Sequence, residues 1–350
     1  MKNNSALLQI QNLKVEFPTR KGTLTALDSV SLEIYRGEVL GVVGESGAGK
    51  SMVGNAIIGL LQPPGHIADG SIYFNGQRID NLPEKEISKF RGKHIGAVFQ
   101  DPLTSLNPLF TIEDQLIETI QCHQSISRGE ARKKALELLK KTGIPAPEKR
   151  LKHYPHQFSG GMRQRVVIAL ALCTDPDLII ADEPTTALDV SVQSQIISLL
   201  KNICCEKKTS IMLVTHDMGV ISEIADRVAV MYAGQLIEIG PVSEILHHAR
   251  HPYTKGLMGA IPKIKDEKAT LTQISGTMPR LTEIPKGCAF HPRCPLATDY
   301  CRQERPILQK KTSMSAVACW RSEEALNSHT VFQTPKFHVR SPEELSHVGT

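Results

Sequence analysis

A glycine-rich run near the start of the chain has the residue types and spacing of a phosphate-binding loop. It reads Gly44-Glu45-Ser46-Gly47-Ala48-Gly49-Lys50-Ser51. Its glycines permit the backbone N–H groups to wrap a phosphate, Lys50 supplies a charge for the β- and γ-phosphates, and the Ser51 hydroxyl is a ligand for Mg²⁺. The pattern arises by chance in roughly one chain in a hundred of this length. A predicted strand before it and a helix after it favour nucleotide binding.

Two adjacent acidic residues, Asp182 and Glu183, follow the short apolar run from Leu178 to Ala181. Such a run is typical of a strand covered on both faces, and α/β folds bind ligands at the carboxyl ends of these strands. Asp182 is predicted to hold Mg²⁺, and Glu183 to polarise or deprotonate an attacking water. Acid pairs at strand ends are common, so this pair alone is a moderate signal. It indicates a nucleotide site because a phosphate loop lies upstream.

A third run, Phe158-Ser159-Gly160-Gly161-Met162, precedes a predicted helix from Met162 to about Leu172. Ser159 is suited to cap that helix, so its hydroxyl and the free N–H groups there point at an anion. Taken alone, the run is more typical of an ordinary helix start.

The elements that must position these residues alternate along the chain. Val39 to Val43 and Ser210 to Thr215 predict buried strands. Alternating apolar residues from Ile10 to Phe17 indicate an antiparallel β start, and Glu130 to Lys141 indicates a helix in a helix-rich middle region. This order predicts an α/β fold with a parallel-sheet core, an antiparallel β subdomain and an inserted helical subdomain.

Length and composition set the class of protein. The chain has 350 residues, of which 41% are apolar and 22% charged, near the globular norm. Its net charge of +5 is mild and spread along the chain, so no nucleic-acid partner is expected. The start of the chain is polar and no apolar run reaches the ~18–20 residues of a membrane span, so neither a secretory leader nor a transmembrane helix is expected.

The predicted division is an ATPase domain at 1–262, with its helical subdomain at about 101–165, and a C-terminal extension at 263–350.

The order of these runs resembles the ATP-binding cassette (ABC) family over about residues 8–262. Phe17 sits where that family carries an aromatic that stacks on adenine, and Gln100 where its Q-loop glutamine touches Mg²⁺ and water. Ala187-Leu188-Asp189 is similar to its D-loop, and His216 to the switch histidine that contacts the γ-phosphate. Each residue has an ordinary alternative as a core aromatic, a loop residue or a strand-end residue. Six elements in the family's order favour the resemblance.

The Ser/Gly run resembles the family's signature loop, with one departure. The family most often has Leu-Ser-Gly-Gly-Gln, whereas Phe158 and Met162 take the first and last places here. Ser159, Gly160 and Gly161, which would touch phosphate, remain. In this family the phosphate loop of one subunit faces the signature loop of the other, so the resemblance implies that ATP is sandwiched in a dimer whose closing and reopening drive a conformational cycle.

The resemblance also implies a role for each site residue. The implied catalytic residues are Glu183, His216, Gln100 and Lys50. The implied Mg²⁺ ligands are Ser51, Gln100 and Asp182. The implied ATP contacts are Phe17, Gly44, Glu45, Ser46, Gly47, Ala48, Gly49, Lys50, Ser51, Met52, Gln100 and Asp182. Ser159, Gly160 and Gly161 would close over the ATP held by the partner, next to the D-loop Asp189.

Three further runs indicate the branch of the family: Asp101 to Pro108, Tyr154 to Gln157, and His251 to Thr254. Together with a cysteine-bearing tail they resemble the first of the two ATPase subunits of bacterial dipeptide/oligopeptide importers. The implied partners are a second ABC ATPase, two transmembrane permeases and an extracytoplasmic substrate-binding protein, at the cytoplasmic face of the inner membrane. The partners set the specificity; dipeptides or oligopeptides lead, and nickel chelates, antimicrobial peptides or other solutes stay open.

Four of the eight cysteines cluster in the tail, as Cys288-x5-Cys294-x6-Cys301-x17-Cys319. The spacing fits neither C-x2-C zinc knuckles nor common ferredoxin runs, so incidental thiols, Zn²⁺ and an iron–sulfur cluster rank nearly level. A short tail that lacks an apolar core favours a stapling cofactor. Similar tails in peptide-importer ATPases are associated with a [4Fe–4S] cluster, so the resemblance implies one, with Zn²⁺ as the alternative.

Two other classes compete with a transport ATPase. Cassette ATPases of DNA repair carry long coiled coils, and translation factors usually carry two cassettes; this chain has no sustained heptads and one phosphate loop. A non-hydrolysing nucleotide sensor is disfavoured by Glu183 and His216. The sequence therefore predicts a transport ATPase.

Overall fold

The computed structural model describes residues 6–186, 188–260 and 274–328. Its strands are β1 Ala6–Thr19, β2 Gly22–Tyr35, β3 Val39–Val43, β4 His66–Phe74, β5 Gln77–Arg78, β6 Ile95–Val98, β7 Leu178–Asp182, β8 Ser210–Val214, β9 Arg227–Tyr232, β10 Gln235–Pro241, β11 Gln309–Lys310 and β12 Ala316–Val317. Its α-helices are α1 Lys50–Ile57, α2 Glu84–Phe90, α3 Pro102–Ser105, α4 Ile112–His123, α5 Arg128–Lys141, α6 Pro147–Arg150, α7 Gly160–Ala171, α8 Val190–Lys207, α9 Met218–Ile224, α10 Val242–His247, α11 Pro252–Gly259, α12 Asp299–Gln303 and α13 Ser322–Asn327. Short 3₁₀ turns cover Pro155–Gln157 and His291–Arg293.

Within the described residues, eight strands form the main sheet in the order β11-β12-β10-β9-β3-β8-β7-β6. The pairs that join β9, β3, β8, β7 and β6 are all parallel. The apolar strands β3, β7 and β8 are buried along almost their whole length, as strands covered on both faces must be. The predicted parallel-sheet core is confirmed, and its strands end at one common edge.

The N-terminal strands form a separate sheet with the order β2-β1-β4-β5 and antiparallel pairs. On β1, Leu13 and Val15 are buried, while Lys14 and Glu16 between and after them are partly exposed. This period of two gives the sheet one buried face. The predicted antiparallel β start is confirmed.

Helices fill the segment between β6 and β7, where the sequence predicts a helical insertion. The predicted helix from Glu130 to Lys141 is present as α5 and begins two residues earlier, because Ser127 and Glu130 form a capping box there. After the phosphate loop the sequence predicts a helix from Lys50 to Leu60. Helix α1 ends earlier, at Ile57, since Gly59 has a left-handed φ of 64° that ends a helix. In the three described ranges, no helix is long and apolar enough to cross a membrane.

The C-terminal residues 274–328 share the core of the main sheet. Strand β12 pairs antiparallel with β10, so the tail extends that sheet. Phe290 is buried against Tyr232 and Tyr253, with ring centroids 5.3 and 5.4 Å apart. The tail therefore has apolar residues that join an existing core, which differs from the expectation of a tail lacking one. The boundary predicted at 262/263 lies outside the described residues and stays a prediction.

Candidate active site

The phosphate loop connects the end of β3 to the start of α1. Gly44, Gly47 and Gly49 have φ values of 154°, 83° and 98°, where L side chains are strained. A Cβ at Gly44 would lie 2.3 Å from the carbonyl oxygen of Met231. Strand β9 therefore passes too close to Gly44 for any residue with a side chain to fit. The loop thus wraps above the N-terminus of α1, which suits a phosphate group. The other predicted contacts of this stretch lie on the loop or the first turn of α1: Glu45, Ser46, Ala48 and Met52.

Lys50 is the first residue of α1 and is only 5% exposed. Its ammonium donates hydrogen bonds to the carbonyl oxygens of Gly44 and Glu45 at 2.9 and 3.0 Å, so it lies across the loop. Burial lowers the pKa of Lys50, while the charges of Glu183, Asp182 and Glu45 act to raise it. The structure therefore places the predicted phosphate-binding cation over the loop.

Two predicted Mg²⁺ ligands, Ser51 and Asp182, are in contact. The Ser51 hydroxyl donates to Oδ1 of Asp182 at 2.9 Å. Burial raises the pKa of Asp182, with the hydrogen bond from Ser51 opposing it. A hydroxyl and a carboxylate are the hard oxygen ligands that Mg²⁺ prefers, so these donors fit the ion. Gln100, the third predicted ligand, is placed beside Glu183.

Three side chains converge on the carboxylate of Glu183. Thr186 Oγ1 and Gln100 Nε2 donate to Oε2 at 2.9 and 3.2 Å. His216 Nδ1 lies 3.2 Å from Oε1. The structure thus brings together Gln100, Glu183 and His216, which follow three different strands, β6, β7 and β8.

Glu183 has an unusual backbone and a lowered pKa. Its φ of 46° is left-handed, which costs roughly 1–3 kcal/mol for a residue with a side chain. Its N–H donates to the Val214 carbonyl at 2.8 Å and so fixes this conformation against β8. Burial acts to raise the pKa of the carboxyl, but hydrogen bonds from Thr186 and His216 and the charges of His216 and Lys50 outweigh it, so the pKa is lowered. Glu183 is therefore an ionised acceptor at neutral pH, suited to orient a water.

The signature-like loop forms the start of α7. Ser159 caps this helix as predicted, its side chain accepting from the Met162 N–H at 3.4 Å. A Cβ on Gly161 would lie 2.6 Å from Val192 of α8, so this position requires glycine. Ser159 and Gly160 are exposed, which leaves them accessible to a second subunit.

Other predicted residues also have visible local roles. The ring of Phe17, at the end of β1, lies against Gly65, where an added Cβ would be 2.4 Å from it. Phe158 is 3% exposed, so it anchors the signature-like loop by burial, as a leucine would. Asp189 caps α8 by accepting a backbone hydrogen bond of 2.9 Å. Ala187 of the predicted D-loop lies outside the described residues.

Sequence reasoning missed the groups that hold the phosphate loop from outside. The Glu45 N–H donates to the hydroxyl of Tyr253 at 2.9 Å, and Arg293 Nη1 lies 3.0 Å from a carboxylate oxygen of Glu45. Tyr253 belongs to a run that indicated only the branch of the family. Arg293 is 248 positions from Glu45, and nothing in its spacing connects it to the loop.

The four clustered cysteines, Cys288, Cys294, Cys301 and Cys319, line one small cavity beside His251. Burial raises the pKa of Cys288, and raises that of Cys294 to about 11 and that of Cys319 to about 12. Metal ligation needs thiolates, so a bound cation would have to lower these pKa values. In the part of the chain that the structure describes, no group of three His, Cys, Asp or Glu is arranged to hold a metal ion. The metal prediction is therefore not supported by these side-chain positions, although all four thiols border the same space.

A parallel sheet whose strand ends carry a phosphate loop, a hydroxyl–carboxylate pair and a held glutamate defines the class of P-loop ATPases. The model of the ABC transporter family matches residues 27–186. The model of the oligopeptide/dipeptide transporter C-terminal region matches residues 237–301.

Relatives match almost the whole chain. It is 47% identical over 319 residues to the dipeptide transport ATP-binding protein DppD of Bacillus subtilis, covering 91% of this chain and 95% of that one. It is 46% identical over 321 residues to the oligopeptide transport ATP-binding protein OppD of Escherichia coli, covering 92% and 95%.

Solved structures show the same fold. A dimeric ATP-binding cassette in a post-hydrolysis state, bound to ADP and Pi, has a TM-score of 0.61 and 32% identity, covering 67% of this chain and 98% of that one. A Clostridium perfringens component of the cbiONQ ABC transporter complex has a TM-score of 0.59 and 32% identity, covering 69% and 90%. This chain belongs to the ABC transporter family of ATP-binding proteins, within its oligopeptide/dipeptide branch, and it is an ATPase.

The first test removes the charge of Glu183 and keeps its size. In Glu183→Gln, turnover at saturating ATP should fall by about 100-fold or more, because the water loses its ionised acceptor. ATP should still bind, since Lys50 and Ser51 are unchanged. Phosphate release and equilibrium binding of a fluorescent ATP analogue measure the two effects.

The matched control is Glu137→Gln, which alters an exposed glutamate on α5. It should leave both quantities unchanged. Wild-type turnover in Glu183→Gln would contradict the role given to this carboxylate.

Proposed function

We propose that this chain is the ATP-hydrolysing subunit that energises import of dipeptides or oligopeptides across a bacterial inner membrane. The observation that carries this is similarity to peptide-transport ATP-binding proteins over about nine-tenths of the chain. The match includes the C-terminal region typical of that branch. The two solved ABC cassettes described above match only about two-thirds of the chain.

The chemistry follows from the groups around the phosphate loop. Loop N–H groups and Lys50 would bind the β- and γ-phosphates, and Ser51 with Asp182 would hold a Mg²⁺ ion that neutralises their charge. Glu183 accepts a hydrogen bond from the attacking water and aligns it with the γ-phosphate. Gln100 and His216 hold the carboxylate in place from either side.

The complete site requires a second subunit. Ser159, Gly160 and Gly161 lie at the start of α7, and the hydrogen bonds of Ser159 are local to that helix. The exposure of Ser159 and Gly160 fits contact with ATP on a facing subunit, as the dimeric state of the similar cassette supports. We propose that the facing subunit is a second, different ABC ATPase. Two permeases and an extracytoplasmic substrate-binding protein complete the importer, with this chain bound peripherally at the cytoplasmic face.

A surface next to Gln100 suits the permeases. Leu103, Leu109 and Phe110 are 62%, 80% and 49% exposed, which is unusual for such large apolar side chains in one short segment. Phe110 also borders an open groove of about 980 Å³ along α4. Because this segment directly follows Gln100, a permease segment docked there would sense changes at the γ-phosphate.

Charges on this surface should detach the chain from its permeases. In a tagged Glu183→Gln background, Leu109→Asp with Phe110→Asp should lower the recovery of permeases by roughly tenfold or more, because charge is buried on docking. The measurement is mass spectrometry of proteins that co-purify from gently solubilised membranes with Mg·ATP. Ile307→Asp alters another exposed apolar residue and serves as the control.

The same experiment tests the proposed function. Recovery of two multi-span permeases, a second cassette ATPase and a peptide-binding protein supports it. Recovery from the soluble fraction alone, with nucleic-acid or ribosomal partners, would overturn the transport role and leave the ATPase assignment intact.

We also propose that the cavity bordered by Cys288, Cys294, Cys301 and Cys319 takes a [4Fe–4S] cluster, with Zn²⁺ as the alternative. Four cysteines are the usual ligands of such a cluster, and all four border this one small cavity, although among the described residues their present positions do not form a metal-binding group. When bound, the group would crosslink the tail or respond to redox state. Ligation would require the raised thiol pKa values to fall, which a cation favours.

Colour and metal content decide between the cofactors. Anaerobically purified protein should be brown, with broad absorption near ~400 nm that is lost in Cys319→Ser. Cys122→Ser, at an exposed cysteine outside the cavity, should keep the colour. A colourless protein with one zinc per chain would show that the cavity binds Zn²⁺ and not an iron–sulfur cluster. A metal-free protein would show that the four thiols bind no cofactor.

A further inference from the structure

Arg293, in the C-terminal tail, makes an ion pair with the phosphate loop. Its side chain is only 6% exposed, and Nη1 lies 3.0 and 3.1 Å from the two carboxylate oxygens of Glu45. The same guanidinium donates through Nε to the carbonyl of Ser275 at 2.9 Å and through Nη2 to that of Ile274 at 3.4 Å. One buried side chain thus joins the second residue of the phosphate loop to the segment that precedes the cysteines.

An aromatic cluster supports this contact. Tyr232 and Tyr253 pack at 4.7 Å between ring centroids, and both contact Phe290. The guanidinium of Arg293 lies 5.9 Å from the ring centres of Tyr232 and Phe290. The hydroxyl of Tyr253 accepts the Glu45 N–H at 2.9 Å. Glu45 is therefore held at its backbone by Tyr253 and at its carboxylate by Arg293.

The segment fixed by Arg293 also borders the loop. A Cβ built on Gly47 would lie 3.1 Å from the Met278 methyl group. The backbone of residues 274 and 275 is held by Arg293, and Met278 follows three residues later. The tail thus touches the phosphate loop at two of its residues, Glu45 and Gly47.

Charge-assisted hydrogen bonds in a buried setting fix geometry strongly, and loss of one partner leaves the other charge poorly compensated. The N–H groups of a phosphate loop bind a phosphate only if they point at it. A shift in the position of Glu45 would therefore change the direction of the N–H groups next to it. Lys50 donates to the Glu45 carbonyl at 3.0 Å, so a displaced Glu45 also displaces this cation.

We propose that Arg293 is a positioning residue for the phosphate loop, so that the C-terminal tail sets the affinity of this subunit for ATP. Arg293 acts through Glu45 and has no contact with the reacting atoms in this assignment. The inference rests on the assignment of residues 44–51 as the ATP-binding loop.

The test measures binding of a fluorescent ATP analogue with Mg²⁺, and the ATPase KM and kcat, on the purified full chain. Arg293→Gln and Glu45→Gln should each raise the Kd about tenfold, the scale of one charge-assisted hydrogen bond. The double variant should have a Kd no higher than that of the weaker-binding single variant, because both substitutions remove the same contact. Arg293→Lys should recover most of the affinity, since it keeps the charge.

A positioning role raises Kd and KM while kcat at saturating ATP stays within about twofold. A merely structural role lowers the melting temperature and the active fraction without changing the Kd of the folded molecules. The control is Glu323→Gln, which breaks the tail's ion pairs with Arg250 and Lys311. It should leave the Kd at the wild-type value.

Three outcomes overturn the inference: an unchanged Kd in both single variants, additive losses in the double variant, or an equal loss in Glu323→Gln. Lys50→Ala separates this failure from a failure of the site assignment. If Lys50→Ala binds ATP like the wild type, the loop is not the ATP site. If Lys50→Ala loses binding and Arg293→Gln does not, only the role of Arg293 is wrong.

Discussion

The parallel pairing of β6, β7, β8 and β3 is the constraint on which the site depends. Each of these strands ends at the same edge of the main sheet, and each has a site residue at its end or within two residues of it. The phosphate loop follows β3 directly, Asp182 ends β7, and Gln100 and His216 lie two residues past the ends of β6 and β8. Residues that are far apart in sequence therefore meet because their strands are hydrogen-bonded in register. A shift in this register would separate Ser51 from Asp182 and Glu183 from His216.

Glu183 shows how the sheet and the chemistry are linked. Its left-handed backbone turns the chain sharply after β7, and the hydrogen bond of its N–H to Val214 keeps that turn attached to β8. The carboxylate then faces Thr186, Gln100 and His216, which compensate its burial. Such local strain persists only where the surrounding structure holds it, and the buried sheet supplies that support.

The main elements and most of the site could be predicted because each has a local signal. The apolar runs at β3, β7 and β8, the glycine spacing of the phosphate loop and the acids after β7 all lie within short stretches of sequence. Thr186, Tyr253 and Arg293 could not be assigned, because their partners are set by tertiary packing. Helix α1 ends three residues before the predicted Leu60, because Gly59 takes a left-handed conformation. The tail was expected to need a cofactor for want of a core, but Phe290 joins a core that the main sheet already provides.

We expect ATP to be enclosed between the phosphate loop of one subunit and the signature-like loop of the other. A structure of the Glu183→Gln chain with its partner ATPase and Mg·ATP tests this most directly. The ATP phosphates should accept hydrogen bonds from the N–H groups of residues 44–51, and Ser159 should lie within hydrogen-bond distance of the γ-phosphate held by the facing subunit. Nucleotide bound away from residues 44–51, or a closed dimer in which Ser159 contacts no phosphate, would contradict it.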